Sequence, residues 1–251
     1  MNRILKADFR KFLSGKLFIV MMVLLVVFPL LSSAFLSLVF KGLGENFDIG
    51  MSAETAFYSS FSPLNNYGLM LMIFMIIILL ADFNQNTIRN KVVAGYSKEA
   101  IYLSGTIFTL TIAFLAMTAY SFLNYALTKA FLGSAGVSFG NILKHWLVAI
   151  LATLFLYAFL QLLVYSTKSF LGAFGILFAV LLFLNIIFFA LFSKLGSETM
   201  RIILIFLPPL QLSGSFTLYD SNFIWMILAN LVFTGLAIGI GLYLNRRLDF
   251  K

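Results

Sequence analysis

The sequence predicts an all-α membrane protein with six transmembrane helices. Of its 251 residues, 62% are hydrophobic and only 10% are charged, and the mean hydropathy is +1.04. A membrane-spanning helix needs about 20 largely apolar residues. The apolar runs here are continuous instead of alternating, which favours helices over a β-barrel. Six such runs leave no room for a folded soluble domain, so we expect one transmembrane domain over residues 1–251.

The N-terminal segment 1–16 is predicted to form an amphipathic helix in the membrane interface. Helical spacing places Arg3, Lys6 and Arg10 on one face, opposite an apolar face. Such a helix turns its apolar face to the hydrocarbon and its basic face to anionic headgroups. A signal peptide cleaved near residues 32–34 is the competing interpretation.

The six spans are predicted from the positions of the apolar runs. They cover residues 17–40, 64–81, 101–127, 146–165, 170–192 and 223–244. Pro29 is expected to kink the first span, and Pro63 suits the first turn of the second. The residues between these two spans, 41–62, are predicted to form an external loop.

A further apolar stretch, Ile202 to Leu210, lies between the fifth and sixth spans. It is too short to cross a membrane and contains Pro208 and Pro209. We therefore predict an external re-entrant hairpin over residues 200–216, which requires other parts of the protein to cover its backbone.

The charge distribution predicts that both termini are cytoplasmic. Six spans place the termini on one side, and 12 of the 17 Lys and Arg residues fall on that side. Positive residues accumulate in cytoplasmic loops, so this side is assigned to the cytoplasm of a cell membrane, which we expect to be bacterial. The net charge of +8 is explained by this arrangement, and no nucleic-acid partner is needed.

The polar segment between the second and third spans is predicted to contain a short helix over residues 86–95. Asn86 and Thr87 suit a helix start, Gly95 suits a C-terminal stop, and Ser97 can cap the next helix. Judged by charge alone, the segment is an ordinary basic cytoplasmic loop.

Three groups of residues in this segment carry a resemblance to a known family. They are Asp82-Phe83, Asn86-Thr87-Ile88-Arg89 and Gly95-Tyr96-Ser97-Lys98. This pattern resembles the loop after the second span in permeases of the type-2 ABC transporter family, although Asn86 stands where glycine is usual and Gly105 where lysine is expected. The order of spans along the chain also agrees with that family.

The resemblance implies an exporter subunit that works with other proteins. Its expected partners are two copies of a separate ATPase, which would bind ATP and Mg, and a second permease, identical or similar. The segment 86–95 would be the coupling helix, helped by Arg3, Lys6 and Arg10 of the interfacial helix. The coupling residues implied are Asp82, Thr87, Ile88, Arg89, Lys91, Val92, Gly95, Ser97 and Lys98.

The chain contains no recognisable catalytic or metal-binding pattern. It lacks the Gly-x-x-x-x-Gly-Lys-Ser/Thr sequence of nucleotide-binding loops, so it is not expected to hydrolyse ATP alone. It has no cysteine, and its one histidine, His145, is predicted to be an interfacial anchor. We therefore expect neither an enzyme nor a resident cofactor or metal.

Neutral polar residues are the remaining candidates for a function within the spans. Buried ionisable residues, which ion-driven carriers use, are missing from the predicted spans. The polar side chains either hydrogen-bond between helices or line a pathway for an amphipathic substrate, such as a peptide or a drug. An ATP-independent carrier or a helical scaffold is the alternative function. The pathway candidates are Ser33, Thr118, Ser121, Asn124, Gln161, Asn185 and Asn230.

Overall fold

A computed structural model of the chain describes residues 1–43, 52–64, 66–192, 197–212 and 216–247. Every regular element in these ranges is a helix, which confirms the predicted all-α class. The helices are α1 (Asn2–Leu13), α2 (Lys16–Leu43), α3 (Ala53–Ser59), α4 (Asn66–Asn84), α5 (Thr87–Val93), α6 (Lys98–Leu132), α7 (Phe139–Thr167), α8 (Phe170–Phe192), α9 (Ser197–Phe206), α10 (Pro208–Gln211) and α11 (Phe216–Arg247).

Six of these helices are long and apolar enough to cross a membrane: α2, α4, α6, α7, α8 and α11. This agrees with the six predicted spans and supports a multi-pass membrane protein. α2 continues as a helix through Pro29. α11 departs from helical geometry at Asn222, next to the predicted start of the sixth span.

Several helices extend beyond the predicted spans. α6 ends at Leu132 and α7 begins at Phe139, so the interval between the predicted third and fourth spans, 128–145, is helical except for residues 133–138. α4 continues to Asn84, which makes Asp82 helical. Apolar runs predict the membrane-crossing part of a helix, whereas polar residues such as Lys129 continue the same helix beyond the hydrocarbon.

The short helix α3 was not predicted, because its residues fall in the expected external loop. Ser52 caps it, since its hydroxyl accepts from the Thr55 amide at 3.3 Å and the Ser52 amide donates to Thr55 Oγ1 at 2.7 Å. Asn124 Nδ2 then ties α3 to α6 by donating to Ala56 O at 3.0 Å and to Ser60 Oγ at 2.8 Å. A Ser-x-x-Thr sequence before an apolar pair is a capping signal that could have located this helix.

α3 also changes the surroundings of His145. The side chain is 2% exposed, and its ring lies 4.2 Å from the ring of Tyr58. α3 therefore covers this side chain with aromatic residues, whereas its predicted level at the membrane interface stays a prediction.

α7 lies at the centre of the bundle and contacts α4, α6, α8, α10 and α11. In its membrane-crossing window 67% of the residues are buried, against 22% in α2, 17% in α8 and 22% in α11. The last three helices therefore form the periphery and present apolar faces outward.

α9 packs against α11, and α10 packs against α7, α8 and α11. The chain is extended at Leu207, so the two helices are separate, and all four residues of α10 are buried. Gln211 Nε2 donates to Ile205 O at 2.8 Å, and Asn230 Nδ2 donates to Gln211 Oε1 at 2.8 Å and to Val148 O at 3.2 Å. Residues 213–215 of the predicted hairpin lie outside the described ranges.

Candidate functional site

The candidate site is α5 with the helix ends that support it. Gly95 adopts a left-handed conformation with φ of 88°, and Ser97 Oγ accepts from the Ala100 amide at 3.2 Å. The predicted stop and the predicted cap are thus confirmed. The Asn86 side chain makes no capping hydrogen bond; its left-handed backbone, with φ of 55°, instead forms the turn that leads into α5.

α5 has one face against the bundle and one face exposed. Ile88 is 2% exposed, and Lys91 and Val92 are partly buried beside it. Arg89 and Val93 project from the opposite face, where Val93 is 80% exposed. Of the predicted coupling residues, Arg89 is therefore free to meet another protein, whereas Ile88, Lys91 and Val92 attach the helix to its own chain.

Lys91 joins three helices through ion pairs. Its ammonium lies 2.8 Å from Asp8 Oδ1 on α1 and 3.4 Å from Asp82 Oδ2 on α4. Lys11 on α1 lies 3.0 Å from Asp82 Oδ1 and donates to Gln85 Oε1 at 3.0 Å. We call these five residues the Lys91 network. Burial raises the pKa of Asp8, although the hydrogen bond and the positive charge of Lys91 oppose that shift.

α1 packs on the bundle through aromatic side chains. The rings of Phe9 and Phe12 contact that of Phe108 on α6, with centroid distances of 5.1 and 5.5 Å. Ile4 and Phe12 are buried, so protein covers part of the apolar face that we expected to meet lipid. The basic residues of α1 that were predicted to contribute to the site are exposed: Arg3, Lys6 and Arg10.

The beginning of α6 is joined to the end of α11. Asn245 Nδ2 donates to Lys98 O at 2.7 Å, and Arg246 Nε lies 2.9 Å from Glu99 Oε1. The Tyr102 hydroxyl packs against the backbone of α11 at Gly241. No sequence motif predicted this contact, because it depends on the absence of a side chain at one position of α11.

We call the end of the bundle that carries α1, α5 and the C-terminus of α11 the basic end. The α7–α8 turn lies at the same end, since the ring of Tyr165 contacts those of Phe83 and Tyr102 with centroid distances of 5.0 Å. α5 is therefore connected to α1 and α4 through the Lys91 network and to α11 through the start of α6.

The predicted pathway residues make hydrogen bonds within the bundle. Ser33 bonds to Thr128 at 3.1 Å, Thr118 accepts from Trp146 Nε1 at 3.2 Å, and Gln161 Nε2 donates to Tyr102 O at 3.1 Å. Asn124 and Asn230 make the contacts described above. Ser121 and Asn185 donate to carbonyls of their own helices at 3.0 and 2.8 Å. Contact between helices is thus the role that these bonds support for five of the seven side chains.

Comparison with known proteins adds no assignment to this site. A scan of the sequence against protein-family models finds no match, and a search against curated proteins finds no significant match either.

Proposed function

We propose that this chain is the membrane-spanning subunit of an ATP-driven exporter of the type-2 ABC kind. The observation that carries the proposal is the attachment of α5, whose inner face is fixed to two other helices while its outer face is exposed. A short helix held in this way can transmit the movement of a docked protein to the bundle. An ordinary connecting loop needs neither a partly buried lysine nor three joined helices.

The docking surface consists of the outer face of α5 and the basic face of α1. On α5, Arg89 supplies a positive charge, Asn90 supplies hydrogen-bonding groups, and Val93 supplies an apolar contact at the helix end. This combination fits a groove with an apolar floor and an acidic rim on an ATPase. Lys91 and Val92, which the resemblance placed among the coupling residues, act from the inner face by holding the helix in position.

ATP binding would close the two ATPase subunits and move α5. The Lys91 network passes that motion to α1 and α4, and the contact between Lys98 and Asn245 passes it to α11. The ATPase thereby shifts the population between inward-facing and outward-facing states.

Two finer architectural features belong to the same proposal. α1 lies in the membrane interface with Arg3, Lys6 and Arg10 toward the cytoplasm, which assigns the basic end to the cytoplasmic side. α9 and α10 form a re-entrant hairpin that helps to close the external side. The burial of α10 supports this assignment, because backbone that enters a membrane without spanning it must be covered by protein.

The complete transporter would contain a second permease and two ATPase subunits that bind ATP and Mg. The apolar outer faces of α2, α8 and α11 are available for the second permease and for lipid. The neutral, aromatic-rich spans suit an amphipathic substrate, such as a peptide or a drug, better than an ion. We place the assembly in a bacterial cell membrane with both termini cytoplasmic.

The test is purification of the chain from its native membrane, followed by identification of the bound proteins and an ATPase assay. The wild-type chain should retain a nucleotide-binding ATPase, and the variant with Arg89→Glu and Val93→Ser should lose it. Lys168→Glu, in the turn after α7 at the same basic end, is the control and should retain the partner. Size-exclusion chromatography of each variant establishes that the fold is intact.

Two results would contradict the proposal. The wild-type chain recovered without any ATPase would favour the carrier or scaffold. Equal ATPase retention by the wild-type chain and the α5 variant would show that this helix is not the docking site.

A further inference from the structure

A cavity of about 240 Å³ lies beneath the Lys91 network, between α1, α2, α4 and α6. The buried part of its wall is apolar and includes Leu79, Ile101 and Phe108, which are 2 to 5% exposed. The exposed part carries charged groups, among them Lys11 and Lys16. The cavity therefore has an apolar interior and a charged opening.

The volume of the cavity limits what can occupy it. Pockets that enclose a whole drug-sized ligand have volumes of roughly 300 to 1,000 Å³. This cavity is smaller, so it encloses only part of a ligand. An apolar wall of aliphatic and aromatic side chains suits an alkyl chain, with the polar part of the molecule left outside.

The charges at the opening favour an anionic group outside the cavity. Three lysines and two aspartates line the cavity as a whole, and Asp8 and Asp82 are paired with Lys11 and Lys91. Lys16 makes no ion pair with any residue in the described ranges. The paired groups leave one unbalanced positive charge, which lies on Lys16.

The position of Lys16 indicates where that anionic group comes from. Lys16, which lines the cavity, is the first residue of the candidate span in α2, and Gln85, which also lines it, directly follows the last residue of the candidate span in α4. The opening therefore lies at the level where spans leave the hydrocarbon, which is the level of the lipid headgroups.

We propose that this cavity binds one acyl chain of an anionic membrane phospholipid, with the headgroup phosphate at Lys16 and Lys11. The chain fills the space under Asp8, Asp82 and Lys91, so the bound lipid supports the attachment of α1 and α5 to the bundle. This site does not depend on the proposed transport function, since neither an ATPase nor a transported substrate takes part in binding.

The proposal can be tested by photocrosslinking with the purified, delipidated chain in detergent. The probe is phosphatidylglycerol that carries a diazirine on one acyl chain, and the adducts are located by mass spectrometry. We expect saturable labelling at one lipid per chain, on peptides of α4 and α6 that line the cavity, and displacement by unlabelled phosphatidylglycerol.

Filling the cavity should prevent this labelling. Ala81 lines the cavity, so Ala81→Phe places a ring in the space for the acyl chain and should lower the specific adduct by roughly tenfold or more. Ile77→Phe on the same helix does not alter the cavity lining and should leave the adduct unchanged. Should the Ala81→Phe protein not be monodisperse, Ala81→Leu provides a smaller filling group.

Removing the unbalanced charge tests the headgroup. Lys16→Gln should lower phosphatidylglycerol labelling by roughly tenfold, the worth of one charge-assisted hydrogen bond. The same probe with a choline headgroup, which has the phosphate but no net charge, should label the wild-type chain less strongly than phosphatidylglycerol does. Lys6→Gln, on the exposed face of α1, controls for general attraction of anionic lipid and should retain labelling. Equal labelling of the Ala81→Phe and wild-type chains would show that the acyl chain does not bind in this cavity. Equal labelling by the choline and glycerol probes would show that the site does not prefer an anionic lipid.

Discussion

The Lys91 ammonium lies between two carboxylates that come from different helices, Asp8 on α1 and Asp82 on α4. The side chains of Lys91 and Asp8 are each only 13% exposed, so water screens this pair weakly. Desolvation cancels much of the attraction in such pairs, but loss of one partner leaves a buried charge uncompensated. The cost of removing Lys91 should therefore exceed the net contribution of the ion pairs.

Replacing Lys91 by methionine should destabilise the protein by about 2 to 4 kcal/mol, because the partly buried Asp8 then loses its ion pair and Asp82 keeps only Lys11. Thermal unfolding of the purified chain in detergent measures this effect. Arg89→Met, two residues earlier on the exposed face, is the matched control and should stay within about 0.5 kcal/mol of the wild-type value. An equal loss of stability in both variants would contradict the description of Lys91 on the inner face and Arg89 on the exposed face of α5.

Glu54 is a second residue whose environment the sequence did not reveal. It is 2% exposed at the start of α3 and bonds to the loop between α6 and α7, where Ser134 Oγ donates at 2.5 Å and the Ala135 amide donates at 2.8 Å. Burial acts to raise the pKa of Glu54, but these hydrogen bonds outweigh it and lower the pKa from 4.5 to about 2. The charged carboxylate therefore holds α3 to this loop.

The stabilisation by Glu54 should depend on pH. Because the folded-state pKa lies below the unfolded value, the stabilisation is present above pH 4.5 and is lost as the pH falls toward about 2. At pH 7, Glu54→Gln should lower the melting temperature by roughly 4 to 8 °C, since charged hydrogen bonds of this kind contribute about 2 kcal/mol. The difference between wild type and variant should shrink between pH 4.5 and the lowest pH that the protein tolerates; a constant difference over that range would disprove the assignment.

At the scale of secondary-structure elements, α6 and α11 approach each other at a single glycine. A methyl group at Gly241 would overlap the Tyr102 hydroxyl, whereas a methyl group at Gly239 would meet no atom within 4 Å among the described residues. Two glycines on the same helix therefore differ in their role, although the sequence around them looks alike.

This difference predicts opposite effects of the same substitution. Gly241→Ala should cost about 1 to 3 kcal/mol, because α11 must move away from α6 or Tyr102 must change its rotamer. Gly239→Ala should be neutral or stabilising by up to about 1 kcal/mol through better helix propensity. Tyr102→Phe in the Gly241→Ala background should recover part of the loss. Unfolding temperatures in detergent measure all three, and equal effects of the two alanines would contradict the described packing.

The sequence predicted some elements well and others poorly, for physical reasons. The six spans are long apolar runs, and the end of α5 is marked by Gly95, whose left-handed conformation disfavours other residues. α3 was missed because one of its seven residues is Glu54, and a glutamate in the sequence suggests an exposed loop. This carboxylate is buried because the loop at Ser134 donates hydrogen bonds to it. The inner and outer faces of α5 could not be distinguished, because Arg89 and Lys91 carry the same charge and only the partner helices separate them.

At the scale of the whole molecule, the order of helices fixes which ends lie together. α5, the α7–α8 turn and the C-terminus of α11 all lie at the basic end, while α3 and the α6–α7 loop lie at the opposite end and are joined by Glu54. α9 has ten residues and α10 four, so neither is long enough to be a candidate span. The end of α11 lies at the same end of the bundle as α5, as the bond from Asn245 to Lys98 shows.

The chain contains no cysteine, so single cysteines can report this arrangement without background labelling. We expect a membrane-impermeant maleimide to label Val93→Cys, Ser166→Cys and Arg247→Cys from the cytoplasmic side only, in inside-out vesicles. Ser138→Cys, in the α6–α7 loop, should react only in right-side-out vesicles, and solubilised protein should react at all four positions. Labelling of Arg247→Cys from the same side as Ser138→Cys would mean that α9 and α10 cross the membrane. Labelling of all four positions from the reversed sides would contradict the assignment of the basic end to the cytoplasm.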